Sequence, residues 1–231
     1  MSRSTTLASK AEEIRGRVIE FCQEHGIRHL ASSLSVVGIL VELRYQWAKP
    51  GDVVVLSKGH ASPAWWVVEE DLHPEQMKGM DPGLAPHLPA GEAGMVMVAG
   101  SLGHGLGVGI GIALANRERT VYVVMGDAEL CEGSVWEAVT LAYALRMSNM
   151  VVVVDWNKAG ATGMVEDMGV DGIRERFVAF GWDTGNHLKE LGQVRFAQRG
   201  DRPRAFVLST VKGCGVPEFE KDPAGCHGRL K

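Results

Sequence analysis

Two apolar segments decide the fold: VYVVMGDA at 121–128 and MVVVVDWN at 150–157, with a helix-like segment at 134–146 between them. Two buried strands joined by a helix form a βαβ unit, whose strands run parallel. Strands that are apolar along their whole length are covered on both faces. The sequence therefore predicts an α/β fold with three α/β/α layers around a mainly parallel sheet.

Similar patterns on either side of this unit predict strands at 52–56 and 205–209, an amphipathic helix at 36–47 and a glycine-rich helix from about residue 103. The spacing of Ser9 and Glu12 suggests a capping box at the start of a first helix. Residues 62–95 are rich in Pro, Gly and Met and predict a long irregular connection. No linker divides the chain, so we expect one domain over residues 1–231.

The composition limits the classes of partner. The 231 residues carry a formal net charge of −4 and contain no long run of Lys or Arg. A protein that binds nucleic acid or acidic lipid normally presents a basic patch. We therefore expect small molecules and other proteins as partners, with no nucleic acid and no membrane.

The apolar segments and the cysteines predict a cytoplasmic protein. The longest nearly apolar stretch, 105–115, is too short to span a bilayer, and residues 1–10 lack the apolar core of a signal peptide. The four cysteines form no CxxC pair, and a chain of this size folds without disulfides.

Asp127 and Asn157 each follow the carboxyl end of a predicted strand. In open parallel sheets that edge is where ligands bind. A carboxylate, an amide oxygen and a backbone carbonyl make a partial oxygen cage that Mg²⁺ or Ca²⁺ accepts when phosphate oxygens complete it. The pair therefore suggests a metal–diphosphate site, although two residues at strand ends can also simply cap their loops. The glycines at 100–111 match neither the dinucleotide nor the Walker spacing, which disfavours nucleotide binding.

These residues also carry a family resemblance. The segments GDAELCEGSVWEA at 126–138 and VDWNK at 154–158 resemble the thiamine diphosphate motif of transketolases, in which Gly-Asp-Gly is followed by a distant Asn; Asp127 and Asn157 are thirty residues apart. Further blocks follow in family order: LSKGHASPA at 56–64, GSLGHG at 100–105, TVKGCGV at 210–216 and CHG at 226–228. The resemblance covers nearly the whole chain and implies a thiamine diphosphate-binding fold.

The resemblance implies a role for particular positions. The metal, Mg²⁺ or Ca²⁺, would be held by the side chains of Asp127 and Asn157 and by the carbonyl oxygen of Ala159. The positions that it assigns to thiamine diphosphate are His60, Gly103, Gly126, Asp127, Ala128, Asn157 and His227.

Three histidines would act on the substrate. His29 and His87 match family residues that face the donor sugar, and His227 would join them in moving protons, work suited to a side chain that titrates near neutrality. His104 matches a variable position and is expected to be structural. Glu132 matches a buried acid at the subunit interface, but an acid at the amino end of a helix is favourable in any case.

Two departures from the family pattern affect these assignments. The triplet is Gly126-Asp127-Ala128 here, and an Ala is tolerated only where the backbone does not need glycine. The small residues around the first family histidine are replaced in IRHLA at 27–31, beside the expected substrate channel. The choice of substrate is the property that this second change affects.

The implied activity is transfer of a two-carbon ketol unit from a ketose donor to an aldehyde acceptor. The chain ends at Lys231, without a segment for the pyrimidine-binding domain, so the resemblance implies a second subunit that carries it, in an α₂β₂ assembly. Two alternatives stay open: the α subunit of a 2-oxoacid dehydrogenase, and a catalytically silent binding or regulatory subunit. The blocks at 57–63 and 210–215 favour the transketolase.

Overall fold

The structure is a computed structural model that describes residues 3–80, 95–96, 101–160, 163–165, 172–189, 201–223 and 226. The strands in these ranges are β1 (Val53–Leu56), β2 (Met95–Val96), β3 (Val121–Gly126), β4 (Met150–Trp156), β5 (Asp183–Gly185) and β6 (Arg204–Ser209). They form one sheet in the order β2-β1-β3-β4-β6-β5, and all of these neighbours pair in parallel.

The α-helices described are α1 (Arg3–Glu24), α2 (Leu30–Glu42), α3 (Ser62–Leu72), α4 (Pro74–Met77), α5 (Gly105–Ala115), α6 (Gly133–Ala144), α7 (Ile173–Ala179) and α8 (Pro217–Lys221). A π-helical turn, Leu43–Trp47, continues α2, and 3₁₀ turns occupy Gly59–Ala61 and Asp127–Cys131. Within the described ranges, no helix combines the length and the apolar character needed to cross a bilayer.

Helices cover both faces of the sheet. Along β3, Tyr122 and Val124 pack into a core formed with α1, α2 and α3, whereas Val121 and Val123 pack into a core formed with α5, α6 and α7. The alternation follows from the pleat, which turns successive side chains to opposite faces. The predicted three-layer arrangement with a parallel sheet is therefore confirmed.

The order of the strands creates a crevice between β1 and β3. Helix α3, which follows β1, packs on one face, and α6, which follows β3, packs on the other. Two neighbouring strands whose following connections lie on opposite faces make a topological switch point, where open α/β sheets bind ligands at the carboxyl ends of the strands. The fold thus places a binding crevice beside His60 and Asp127.

Several predicted boundaries were wrong. Part of the segment 62–95, predicted as irregular, is the helix α3. Its Pro63 does not prevent a helix, because it lies in the first turn, where proline is tolerated. Helix α1 begins at Arg3 rather than at a capping box at Ser9. Helix α2 begins at Leu30 rather than near residue 36, because its first turns are buried on every side and show no amphipathic period.

The glycines of α5 bring the helix close to the sheet. A Cβ on Gly109 would lie 2.6 Å from Cγ2 of Val123, and one on Gly105 would lie 2.8 Å from Cα of Ser57. By contrast, a Cβ on Gly107 or Gly111 would meet nothing within 4 Å. Within the described chain, the close approach is therefore between a helix and strands rather than between two helices.

A buried ion pair joins α3 to the π-helical turn. Arg44 donates from Nε to Oε1 of Glu69 at 2.6 Å and from Nη2 to Oε2 at 2.9 Å. The two side chains are only 9% and 4% exposed. The neighbouring Glu70 pairs with Arg17 at 3.0 Å but is 47% exposed.

We therefore predict that Glu69→Ala lowers the free energy of unfolding by about 3 to 5 kcal/mol, because it leaves the guanidinium of Arg44 buried without its counter-charge. Glu70→Ala should cost less than about 1 kcal/mol, since an exposed pair is screened by solvent. Urea denaturation of both variants measures the difference. Equal losses of stability in the two variants would contradict the assignment of Arg44 and Glu69 as the ion pair that stabilises the contact between α3 and the π-helical turn.

Candidate functional site

A cleft of about 260 Å³ opens at the carboxyl ends of β1, β3 and β4. It gathers most of the site residues predicted from the sequence: His29, His60, Gly126, Asp127, Ala128, Asn157 and Ala159. Gly103 lies next to Leu102, which lines the cleft. His87 and His227 fall outside the described residues.

Asp127 begins the 3₁₀ turn directly after β3 and is 2% exposed. Its Oδ1 accepts the amide of Ala128 at 2.9 Å, and its Oδ2 accepts the amide of Lys158 at 2.5 Å. Burial raises the pKa of Asp127 to about 6, and the negative charge of Asp155 adds to the rise. The ionised carboxylate is therefore unfavourable in these surroundings, and a bound cation would relieve this cost.

The other two predicted metal ligands lie on the loop after β4. Oδ1 of Asn157 accepts the amide of Ala159 at 3.1 Å, while the carbonyl of Ala159 accepts Nζ of Lys212 at 3.0 Å. An amide or carbonyl oxygen has two lone pairs, so each keeps acceptor capacity. In the described parts of the chain, no three His, Cys, Asp or Glu side chains gather in a metal-binding group. A metal here would depend on this mixed oxygen set, which suits Mg²⁺ or Ca²⁺ completed by phosphate and water.

Beneath the cleft, the carboxylate of Asp155 joins four elements. It forms a buried ion pair with Lys58, which follows β1. Its Oδ2 accepts the hydroxyl of Ser35 on α2 at 2.7 Å and Nδ2 of Asn157 at 3.3 Å. Its Oδ1 accepts the hydroxyl of Thr210, which follows β6.

The charge balance of this network keeps Asp155 ionised. Burial alone raises its pKa, but the ammonium of Lys58 and the hydrogen bonds outweigh burial and hold the pKa below the usual range. Because Nδ2 of Asn157 points to Asp155, the amide oxygen stays on the side of the loop backbone. Neither Lys58 nor Asp155 was assigned a role from the sequence. The available signal was a lysine and an aspartate at the ends of otherwise apolar strands.

The cleft is lined by two buried lysines, Lys58 and Lys212, which are 1% and 2% exposed. Burial lowers the pKa of Lys212, because the ammonium loses hydration. Lys212 belongs to the 210–216 block, and no role was assigned to it from the sequence. The charge of Lys58 is balanced by Asp155, whereas Nζ of Lys212 contacts carbonyl oxygens in the hydrogen bonds described, so Lys212 supplies the ammonium that suits an anionic ligand such as a diphosphate.

His29 and His60 stand together on one wall. Their ring centroids are 5.7 Å apart. His29 caps α2 with a φ of 69°, a left-handed conformation that is uncommon for a residue with a Cβ. Burial lowers the pKa of His29, and the positive charges of Lys212 and Arg28 lower it further. Its ring is therefore neutral at pH 7 and can accept a proton.

The two departures from the family pattern are accommodated. The non-glycine residues with positive φ in the described chain are His29, Arg146 and Lys158, so the backbone at Ala128 does not need glycine. Leu30 and Ala31 are 0% and 1% exposed and belong to the core of α1, α2 and α3. Their larger side chains are thus directed into the protein rather than into the cleft.

Glu132 lies at the amino end of α6, outside the cleft. Its side chain packs beside Gly103, where a Cβ would lie 2.9 Å from Cβ of Glu132. This position is compatible both with an interface role and with the favourable electrostatics of a helix terminus.

Comparison with known families and proteins agrees with this geometry. The profile of the family described as transketolase, thiamine diphosphate binding domain, matches residues 45–230. Transketolase-like protein 2 of Mus musculus is 33% identical over 99% of this chain but only 42% of its own length. The chain thus spans about two fifths of that relative.

Two bacterial relatives, each named as one subunit of a transketolase, are matched over most of their length. The apulose-4-phosphate transketolase subunit of Phocaeicola vulgatus is 30% identical over 96% of this chain and 89% of that protein. The 6-deoxy-6-sulfo-D-fructose transketolase subunit SqwG of a Clostridium species is 29% identical over 96% of this chain and 90% of that protein.

The fold also matches solved structures. The transketolase of Campylobacter jejuni superposes with a TM-score of 0.81 at 23% identity, over 100% of this chain and 41% of that one. The transketolase of Leishmania mexicana gives 0.77 at 21% identity, over 90% of this chain and 37% of that one. At this level of identity the superposition supports the fold, and the sequence matches support the family.

The raised pKa of Asp127 predicts how stability depends on pH. Its pKa rises from 3.8 to about 6 on folding, so between these values the folded chain binds more protons than the unfolded chain. The free energy of unfolding should therefore fall as the pH rises through this window.

Without metal, the stability of Asp127→Asn relative to the native chain should be higher at pH 7.5 than at pH 4 by on the order of 2 kcal/mol, because a unit of pKa corresponds to about 1.4 kcal/mol and the amide does not ionise. Comparing the two pH values cancels the hydrogen bond that the amide nitrogen loses, since both oxygens of Asp127 accept backbone amides. Urea denaturation in chelator at both pH values is the measurement. A difference between variant and native chain that is the same at both pH values would show that folding does not raise the pKa of Asp127.

Proposed function

Because the chain belongs to the transketolase family through its thiamine diphosphate-binding domain, we propose that it is the diphosphate-binding subunit of a two-component transketolase. Together with a partner, it would transfer a two-carbon ketol unit from a ketose donor to an aldehyde acceptor. The observation that carries the proposal is the cleft that gathers Asp127, Asn157 and the buried Lys212 at the carboxyl ends of the strands.

The donor set fits the group that the family binds. Mg²⁺, or Ca²⁺, would be held by the carboxylate of Asp127, the amide oxygen of Asn157 and the carbonyl oxygen of Ala159. Lys212, whose Nζ contacts that carbonyl and the carbonyl of Gly160, supplies positive charge for the diphosphate. His60, Gly103, Gly126, Ala128 and His227 would complete the cofactor site.

The side chains of this subunit bind, orient and move protons. Thiamine diphosphate, when bound, supplies the carbanion-stabilising chemistry, and the protein selects and aligns the substrate. His29, neutral at pH 7 because of its surroundings, can take a proton from a sugar hydroxyl on the open side of the cleft. His87 and His227 are assigned to the same task by their family positions.

The partner would carry the pyrimidine-binding domain. The support is the difference in coverage: the chain spans 89% and 90% of the two bacterial subunits but 42% of the mouse protein. We propose that residues 1–231 form a single domain, that Glu132 lies in the contact between subunits, and that the assembly is α₂β₂. We also propose a cytoplasmic location, which suits the absence of a disulfide at Cys22, Cys131 and Cys214 in the described chain.

The rival assignments have less support. A 2-oxoacid dehydrogenase subunit would be expected to match other relatives, whereas those described above carry transketolase names. A silent binding subunit was suggested by Ala128, but the backbone there accepts alanine without strain. Pyruvate decarboxylation by the assembled complex would reverse the first preference.

The metal assignment predicts that Asp127→Ala abolishes thiamine diphosphate binding in the presence of Mg²⁺, because the metal loses its charged ligand and the diphosphate loses its counter-charge. Calorimetry on the assembled complex measures the affinity. Asp201→Ala, at a side chain that is 76% exposed, is the control and should bind normally. Undiminished affinity in Asp127→Ala would refute the assignment of Asp127 and Asn157 to the metal.

The two-component assignment predicts that the purified chain, given thiamine diphosphate, Mg²⁺ and a panel of ketoses and aldehydes, shows no ketol transfer. Activity should appear when a second polypeptide isolated with it from its native host is added. Product analysis by chromatography reports the transfer. Sustained turnover by the single chain would rule out the need for a partner.

A further inference from the structure

One buried carboxylate draws together three walls of the cleft. Glu129 is 1% exposed and lies in the 3₁₀ turn after β3. Its Oε1 accepts the hydroxyl of Ser57 at 2.5 Å and the amide of Gly103 at 3.1 Å, while its Oε2 accepts the amide of Gly126 at 2.8 Å. The side chain of Glu129 therefore accepts hydrogen bonds from the end of β1, from the segment before α5 and from the end of β3.

Ser57 extends the connection to the helix α5. Its hydroxyl donates to Glu129 and its oxygen accepts the amide of Gly105 at 3.2 Å. Gly105 is the first residue of α5, and the side chain of His104, at the N-cap, makes no capping hydrogen bond. The amino end of this helix is thus capped by the end of β1, and a negative charge near a helix amino end is favourable.

The packing leaves this backbone little freedom to move. Gly103 has a φ of 85°, and a Cβ there would lie 2.9 Å from Cβ of Glu132 and from Oγ of Ser134. Gly105 is pressed equally closely against Ser57, where the distance to Cα would be 2.8 Å. Leu102, which precedes Gly103, lines the cleft. The position of this wall relative to Gly126 is therefore set by the hydrogen bonds of Glu129.

We propose that Glu129 is a positioning residue: by accepting these hydrogen bonds it fixes the separation between the Leu102–Gly103 wall and the Gly126–Ala128 wall, and so sets the affinity for the diphosphate of thiamine diphosphate. This inference rests on the proposed function. Glu129, which is 1% exposed, would act through the backbone that it holds rather than on the reacting atoms.

A carboxylate is the side chain that this geometry requires. All three groups that approach Glu129 are donors, and an ionised carboxylate presents acceptors on both oxygens. The amide of Gln has one accepting oxygen and one donating nitrogen, so Glu129→Gln must set an N–H against at least one donor. The substitution keeps the size of the side chain and changes mainly its hydrogen bonding.

The test titrates thiamine diphosphate with Mg²⁺ into the full chain, isolated from its own host so that any partner remains bound. Glu129→Gln should raise the dissociation constant about 10- to 100-fold, the effect of losing one charge-assisted hydrogen bond. At saturating cofactor, kcat and the KM for the sugar should stay near their native values. Glu75→Gln, at a side chain that is 87% exposed, is the control and should match the native chain.

Two further measurements separate positioning from general destabilisation. Amide hydrogen exchange of the ligand-free chain should speed up at Gly103 and Gly126 in Glu129→Gln while the central strands stay protected. Ser57→Ala should also weaken cofactor binding, and the double variant should lose less than the sum of the two single losses, because both changes break one network. Ser57→Ala alone decides the question if Glu129→Gln does not fold.

The outcomes distinguish this inference from the function on which it rests. The positioning role is wrong if the native chain and both variants bind the cofactor equally well. It is also wrong if the variants lose stability while their dissociation constant for the cofactor stays unchanged. In both cases the proposed function stands. If the native chain binds no thiamine diphosphate, both fall.

Discussion

The ion pair between Lys58 and Asp155 is the constraint on which the rest of the site depends, because a carboxylate without exposure to water is stable only when it is paired and fully hydrogen-bonded. Asp155 satisfies this requirement with groups from α2, from the ends of β1 and β6, and from the loop after β4. The need to neutralise one buried charge therefore fixes the relative positions of four separate parts of the chain. Asn157, one of these parts, is also a proposed metal ligand.

Two buried carboxylates each hold one side of the cleft in place. Asp155 holds the side on which Asn157 and Thr210 lie, and Glu129 holds the side formed by the starts of α5 and of the 3₁₀ turn. Between them, Asp127 accepts only backbone amides through the hydrogen bonds described and has its pKa raised by burial. Hydrogen bonds thus hold the edges of the site in place, whereas the negative charge of Asp127 at its centre is unfavourable. The folded chain loses stability there, and a bound cation with its anionic ligand would restore it.

The sequence predicted what depends on periodicity and on local motif spacing. The apolar runs gave the parallel sheet, and the separation of Asp127 and Asn157 placed both at one edge of it. Helix α3 and the first turns of α2 were missed, because a helix buried on all sides has no amphipathic period. The roles of Glu129 and Asp155 could not be predicted, since most of their partners lie 26 to 120 positions away along the chain and only the folded topology brings them together.

The proposed function depends on a divalent metal held in the cleft between the loops after β3 and β4, and a crystal structure of the chain soaked with Mn²⁺ and thiamine diphosphate would locate it. We expect one anomalous peak within about 2.5 Å of a carboxylate oxygen of Asp127, Oδ1 of Asn157 and the carbonyl oxygen of Ala159, in contact with diphosphate oxygens. Nζ of Lys212 should then turn from that carbonyl toward the diphosphate. A bound cofactor whose metal lies away from these three oxygens would rule out the proposed metal site.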